Sequence, residues 1–134
     1  MFVVDASVAL AWCFDNEASA AADRVLERLE SEEALAPSIW PLEVANGLRS
    51  AERRGRLGLA DHSRIRELLM SLPIEVEAVD LETALGEVTE LARGLELSAY
   101  DAAYLALAAR RGVALATVDE RLGQACRLAG IAVA

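Results

Sequence analysis

The chain has 134 residues, 54% of them apolar, and carries 22 acidic against 13 basic side chains for a formal net charge of -9. A chain of this length buries roughly two-thirds of the surface its unfolded form exposes, enough for a core without disulfides or a structural metal, so intrinsic disorder is excluded. All 13 basic residues are arginine, which removes P-loop phosphate binding, Schiff-base catalysis and lysine-assisted phosphotransfer, while the acidity argues against loose coating of nucleic acid.

Phe2-Val3-Val4 is a short apolar run ending at Asp5; without a basic leader it is not expected to act as a signal peptide. A helix starting near Ser7 follows, and helical spacing recurs near 18–31. Ala34–Ala36 reads as a second strand, followed by helices near 39–54 and 60–71 and a strand at Ile74–Val79. Leu81, Leu85, Val88, Leu91 and Leu95 recur at three- and four-residue intervals, predicting a helix. Another helix over 99–111, a strand at Val113–Ala116, a helix over 119–129 and a strand at Ile131–Val133 complete the series. Gly55, Gly94, Gly112 and Gly130 stand where helices should stop. Strands alternating with helices predict an α/β, three-layer α/β/α domain over residues 1–134, with a central, mostly parallel sheet of four to five strands. No apolar run is long enough to cross a membrane, so a cytoplasmic location is expected. Cys13 and Cys126 lie in apolar helical patterns without a CxxC, which predicts buried thiols, and the sole histidine, His62, reads as a surface residue.

Ligands of open α/β sheets bind beyond the carboxyl ends of the strands. Asp5 follows the first strand, Asp119 follows Leu115-Ala116-Thr117-Val118, and Asp101 falls in the first turn of the 99–111 helix. Glu43 is the fourth carboxylate of interest. Each has a local alternative. Asp5 can cap the helix near Ser7, Ser98-Ala99-Tyr100-Asp101 and Thr117-Val118-Asp119-Glu120 match the capping box, and glutamate is a common helix former. Four carboxylates gathered at one sheet edge would stay ionised together only with a cation between them. Oxygen donors without histidine or cysteine select a hard ion, Mg²⁺ or Mn²⁺.

The segments Met1-Phe2-Val3-Val4-Asp5-Ala6-Ser7, Pro41-Leu42-Glu43-Val44-Ala45-Asn46, Ser98-Ala99-Tyr100-Asp101-Ala102-Ala103-Tyr104 and Ala116-Thr117-Val118-Asp119-Glu120-Arg121-Leu122 resemble the four motif regions of PIN-domain nucleases. In order, spacing and chain length they are most similar to the VapC toxins of toxin–antitoxin pairs. The resemblance implies an acidic pocket of Asp5, Glu43, Asp101 and Asp119. Asp5, Asp101 and Asp119 would hold Mg²⁺, with Ser7 and Thr117 supporting the carboxylates. Asn46, three residues after Glu43 on the same helical face, is expected at the rim. Some PIN nucleases carry a further acid soon after the fourth motif; here Glu120 is followed by Arg121-Leu122, which weakens the expectation of a second metal.

The implied activity is hydrolysis of RNA by a Mg²⁺-activated water. Arg49, Arg53 and Arg54, with Arg56, cluster at the end of the Glu43 helix, and Arg110 and Arg111 end the Asp101 helix; each group suits either phosphate contact or the helix dipole. The resemblance further implies a cognate antitoxin as inhibitor and a homodimer, with Trp12, Phe14 and Trp40 as candidates for lining an antitoxin groove. The competing readings are a PIN-like binding or regulatory subunit with weak catalysis, a housekeeping PIN nuclease without an antitoxin, and a small-molecule phosphatase. The phosphatase is disfavoured because Asp5-Ala6-Ser7 lacks the second aspartate of an Asp-x-Asp pair.

Overall fold

The computed structural model describes residues 1–14 and 19–134. Strand β1 (Phe2–Val4) is fully buried, each of its side chains contributing roughly 1.5–3 kcal/mol on burial. It pairs in parallel with β2 (Ala34–Pro37) on one side and β4 (Leu115–Ala116) on the other. β3 (Ile74–Glu77) pairs in parallel with β2 at the edge, giving the order β3-β2-β1-β4. The sheet is thus four-stranded and all parallel. The strand expected at Ile131–Val133 shrinks to a single bridge between Val133 and Leu115, because β4 is only two residues long and offers no further ladder.

Helices α1 (Ala6–Cys13) and α2 (Ala20–Arg28) connect β1 to β2; residue 18, where the second of these was expected to begin, lies outside the described residues. α3 (Trp40–Arg53) and α4 (Leu59–Ser71) connect β2 to β3. The expected helix through Leu81–Leu95 is divided into α5 (Leu81–Thr83), a π-helical turn at Ala84–Val88 and α6 (Thr89–Leu95). Gly94 lies inside α6, and Glu96 takes the left-handed cap conformation instead, at φ 53°. α7 (Ala99–Arg111) and α8 (Glu120–Leu128) complete the fold. α7 stops at Gly112, whose φ of 64° favours glycine.

The chain steps from β1 to β2 to β3 in one direction and then returns across the sheet to β4. Right-handed crossovers therefore put α1 to α4 on one face and α5 to α8 on the other, the three-layer arrangement expected. The direction reverses between β1 and β4, and such a switch point leaves a crevice at the carboxyl edge. α7, buried continuously from Ala102 to Ala108, brings its first turn to that edge. No described helix is long and apolar enough to cross a membrane.

Candidate active site

Asp5 stands where β1 ends, and its N–H still bonds to the Ala116 carbonyl of β4. It caps α1 and is only 3% exposed. Oδ1 accepts from Ser7 Oγ at 2.7 Å and from the Val8 N–H at 3.1 Å, while Oδ2 accepts from Thr117 Oγ1. Hydrogen bonds to a charged group are worth roughly 1.5–3 kcal/mol each, yet burial outweighs them. Desolvation, with a smaller push from Asp119, leaves the Asp5 pKa above its ordinary value. Ser7 also accepts from the Val118 N–H, and Thr117 from the Asp119 N–H. The two hydroxyls thereby tie the loop leaving β4 to the start of α1.

Asp119 caps α8, its Oδ1 accepting from the N–H groups of Arg121 and Leu122. The capping box expected at Thr117 is thus replaced: Asp119 takes the cap and frees Thr117 to serve Asp5. Ser98 caps α7 as expected, accepting from the Asp101 N–H at 3.1 Å. The Asp101 pKa is raised, by burial first and then by the charge of Asp119, against the weaker opposing pull of Arg121. Glu43 sits in the first turn of α3, which also holds Pro41, where a missing N–H costs no helical bond. The Tyr104 hydroxyl donates to Glu43 Oε1, crossing from one helical layer to the other.

Asp5, Glu43, Asp101 and Asp119 line one cleft of about 220 Å³, together with Ala6, Ser7, Leu10 and Tyr104. No basic side chain is among those lining residues. No group of three or more His, Cys, Asp or Glu side chains among the described residues forms a ready ligand cage. The donor set instead fits a hard ion that keeps most of its water and takes one or two carboxylates, as Mg²⁺ does. Glu43 Oε2 and Asp119 Oδ2 make no hydrogen bond among the described residues and are open to such an ion or its water.

Tyr104 is the residue that sequence reasoning passed over. It lies three positions after Asp101, hence on the same helical face, but within an alanine-rich buried run it reads as core. It is 1% exposed, and burial together with Glu43 holds its phenol far above the ordinary range, so it acts as a donor. Asn46 is exposed and not among the cleft-lining residues. Arg49, Arg53 and Arg54 are also outside it; Arg49 pairs with Glu52, and ten residues of helix, roughly 15 Å, separate Arg53 from Glu43. Arg110 and Arg111 pair with Glu77 and Glu87.

Of the three aromatic groove candidates, Trp12 Nε1 donates to the Ala22 carbonyl and Phe14 is buried under the Arg56 guanidinium, so both belong to the packing of the core. Trp40 does line a groove, of about 410 Å³ between α3 and α4, with Pro41, Val44, Leu48, Leu69 and Met70. Its indole Nε1 is buried without a hydrogen-bond partner among the described residues. His62, paired with Glu52, stands at the same groove. Cys13 and Cys126 are free thiols, and burial pushes both up to about 11.

Residues 2–128 match the family model of the PIN domain. Ribonuclease VapC9 of Mycobacterium tuberculosis is 39% identical over 123 residues, spanning 91% of this chain and 88% of that protein. The crystal structure of PAE2754 from Pyrobaculum aerophilum superposes with a TM-score of 0.70 at 28% identity, covering 92% of this chain and 83% of the other. A toxin–antitoxin complex from Klebsiella pneumoniae shares the fold, with a TM-score of 0.64 at 16% identity over 92% of this chain and 90% of that one.

Proposed function

The chain belongs to the PIN-domain family, and we propose that it is a VapC-type ribonuclease toxin that hydrolyses RNA phosphodiester bonds with a Mg²⁺-assisted water. The observation that carries this reading is the cleft itself: four carboxylates line it, one of them buried and fixed by three hydrogen bonds. The similarity to a ribonuclease over nine-tenths of the chain supports the same substrate class.

Asp5, Asp101 and Asp119 are the residues that would hold the ion, directly or through its water, with Mn²⁺ as the alternative metal. When bound it supplies a water of lowered pKa and offsets charge on the phosphate in the transition state. The chain's own residues do the positioning. Ser7 and Thr117 fix the Asp5 carboxylate, so that one ligand is preorganised. Tyr104 holds Glu43 Oε1, leaving Oε2 to take a proton from, or orient, the attacking water. Burial first, with a smaller push from Asp119, holds Asp5 and Asp101 above their ordinary pKa, and a bound cation would offset both costs.

The reading includes a basic antitoxin as inhibitor, suited to a toxin of net charge -9, and a homodimer, in the cytoplasm where both RNA and antitoxin are found. The α3–α4 groove supports the antitoxin part, since it is an apolar trough lined by Trp40, Val44, Leu48, Leu69 and Met70. A catalytically weak regulatory PIN module is disfavoured because all four carboxylates are present. A housekeeping PIN nuclease has the same cleft, and the absence of a small antitoxin gene beside this one would favour it.

Incubation of purified protein with total RNA tests the activity. Cleavage in Mg²⁺, none in EDTA and none with Asp5→Asn is the expected result; equal cleavage in EDTA overturns the metal mechanism.

A further inference from the structure

Beside the carboxylate cleft lies a second hollow of about 530 Å³, lined by Leu95, Leu97, Glu120, Arg121, Gln124 and Leu128 among others. That size falls within the range of small-ligand pockets, roughly 300–1,000 Å³. Resting on the ribonuclease reading, we infer that this hollow is a subsite for the nucleotide next to the scissile bond, with Arg121 taking a backbone phosphate and the base lying against Leu97 and Leu128.

Arg121 follows Asp119 by two residues and its charge reaches Asp101, so a phosphate on it is next to the cleft. Its Nη2 donates to the Glu96 carbonyl at 2.9 Å. Arg28, Arg49, Arg64, Arg110 and Arg111 each face a carboxylate; Arg121 is anchored by a neutral carbonyl, which orients the guanidinium without neutralising it. Glu96 presents that carbonyl from a left-handed conformation, φ 53°, which L-residues rarely adopt. The planar fork keeps further N–H donors for a phosphate. Gln124 offers an amide to a base edge, and Leu97 and the 71% exposed Leu128 offer apolar contact. Glu120 on the same rim limits the negative charge that the hollow accepts, which suits a monoanionic diester over a dianionic monoester.

The test compares Arg121→Gln and Arg121→Lys with Arg24→Gln, an exposed arginine of α2 that lines neither cavity. A labelled single-stranded RNA is titrated in EDTA and followed by anisotropy at several salt concentrations, and kcat and KM are measured in Mg²⁺. Arg121→Gln should weaken binding about tenfold and flatten the salt dependence by about 0.7, raising KM more than it lowers kcat. Arg121→Lys should keep the salt dependence and lose part of the affinity, and Arg24→Gln should change neither. Binding by Arg121→Gln within twofold of wild type, with an unchanged slope, overturns the subsite while leaving the ribonuclease reading intact. A wild-type chain that neither binds nor cuts RNA overturns both.

Discussion

At its N-terminal end α7 presents Asp101 to Asp119; at its C-terminal end it presents Arg110 and Arg111 to Glu77 and Glu87. The helix dipole favours both placements, acid at the start and base at the finish, so local sequence accounts for the signs at either end. The surroundings differ. The arginines meet acids from β3 and the π-helical turn and are paired within the fold. Asp101 meets another aspartate, and the modest pull of Arg121 does not reverse the upward pKa shift that burial and Asp119 impose. The acid at the N-terminal end is left with an upward pKa shift and no ion pair among the described residues, and in the proposed function a cation would compensate it.

The largest effect should come from the carboxylate cleft that the N-terminal end of α7 joins. Asp5→Asn keeps an acceptor for the α1 cap, so circular dichroism should show a folded chain, while RNA cleavage falls by at least about a hundredfold for want of a preorganised carboxylate. A variant that cuts RNA at the wild-type rate would show that the charge at this edge is structural.

Asp119→Asn should separate stability from function. Asn caps a helix as well as Asp does, and losing the charge relieves Asp5 and Asp101 of repulsion. The melting temperature of the metal-free chain should rise by roughly 2–5 °C, and the further rise that Mg²⁺ gives the wild type should shrink or vanish. The pH dependence has the matching sign. Asp5 and Asp101 have folded pKa values above their ordinary 3.8, so their contribution to stability is fully present below 3.8 and is lost as pH rises through the raised values. Calorimetry on metal-free protein should therefore find these two groups adding stability as pH falls through their raised values towards 3.8. Glu32, held down to about 2 by Arg28 and the N-terminus, acts oppositely and erodes stability as pH falls below 4.5 towards 2.

Tyr104→Phe preserves the packing and removes a hydroxyl whose bond to Glu43 joins the two helical layers across the cleft. A bond to a carboxylate is worth roughly 1.5–3 kcal/mol, so cleavage should fall about tenfold if Glu43 depends on it for position, with KM little changed. An unaltered kcat would leave Tyr104 as core alone.

The strands and the acidic edge were legible because both are local: an apolar run ending at Asp5, a cap at Ser98, an aspartate after Leu115-Ala116. What pairs with those groups was not. From its own residues Thr117 reads as a helix cap, and only the family resemblance points it to a carboxylate; in the fold Asp119 takes the cap and the Thr117 hydroxyl bonds Asp5. Tyr104 sits among buried alanines, and only the approach of α3 reveals its partner. Arg110 and Arg111 suited phosphate as well as they suited the dipole, and the acids that meet them come from segments more than twenty residues away. Trp12 and Phe14, offered for a groove, pack inward for the same reason: an aromatic side chain's neighbours are set by the fold.

A smaller effect tests how closely the two sides of the cleft must approach. A Cβ on Gly47 would meet Leu10 Cδ1 and Cδ2 at 2.7 Å, and Leu10 lines the cleft. The tip of a leucine moves cheaply, and alanine gains up to about 1 kcal/mol of helix propensity. Gly47→Ala should therefore leave denaturant stability within about 1 kcal/mol of wild type while lowering cleavage less than tenfold, through a shifted Leu10.

The smallest effect belongs to the paired end. Arg110 serves two acids, donating to Glu87 and lying 3.5 Å from Glu77 Oε2 in an ion pair without a hydrogen bond. The Arg110 side chain is 36% exposed, and exposed pairs of this kind are worth about 0–1 kcal/mol. Arg110→Gln leaves Arg111 on Glu77, so urea denaturation should show a loss under about 1 kcal/mol that fades as salt screens the remaining charges, with RNA cleavage unchanged. A tenfold loss of RNA binding in that variant would mean that Arg110 leaves its acids for phosphate. Both ends of α7 would then face the substrate, and a charge compensated inside the fold would no longer mark a surface without a ligand.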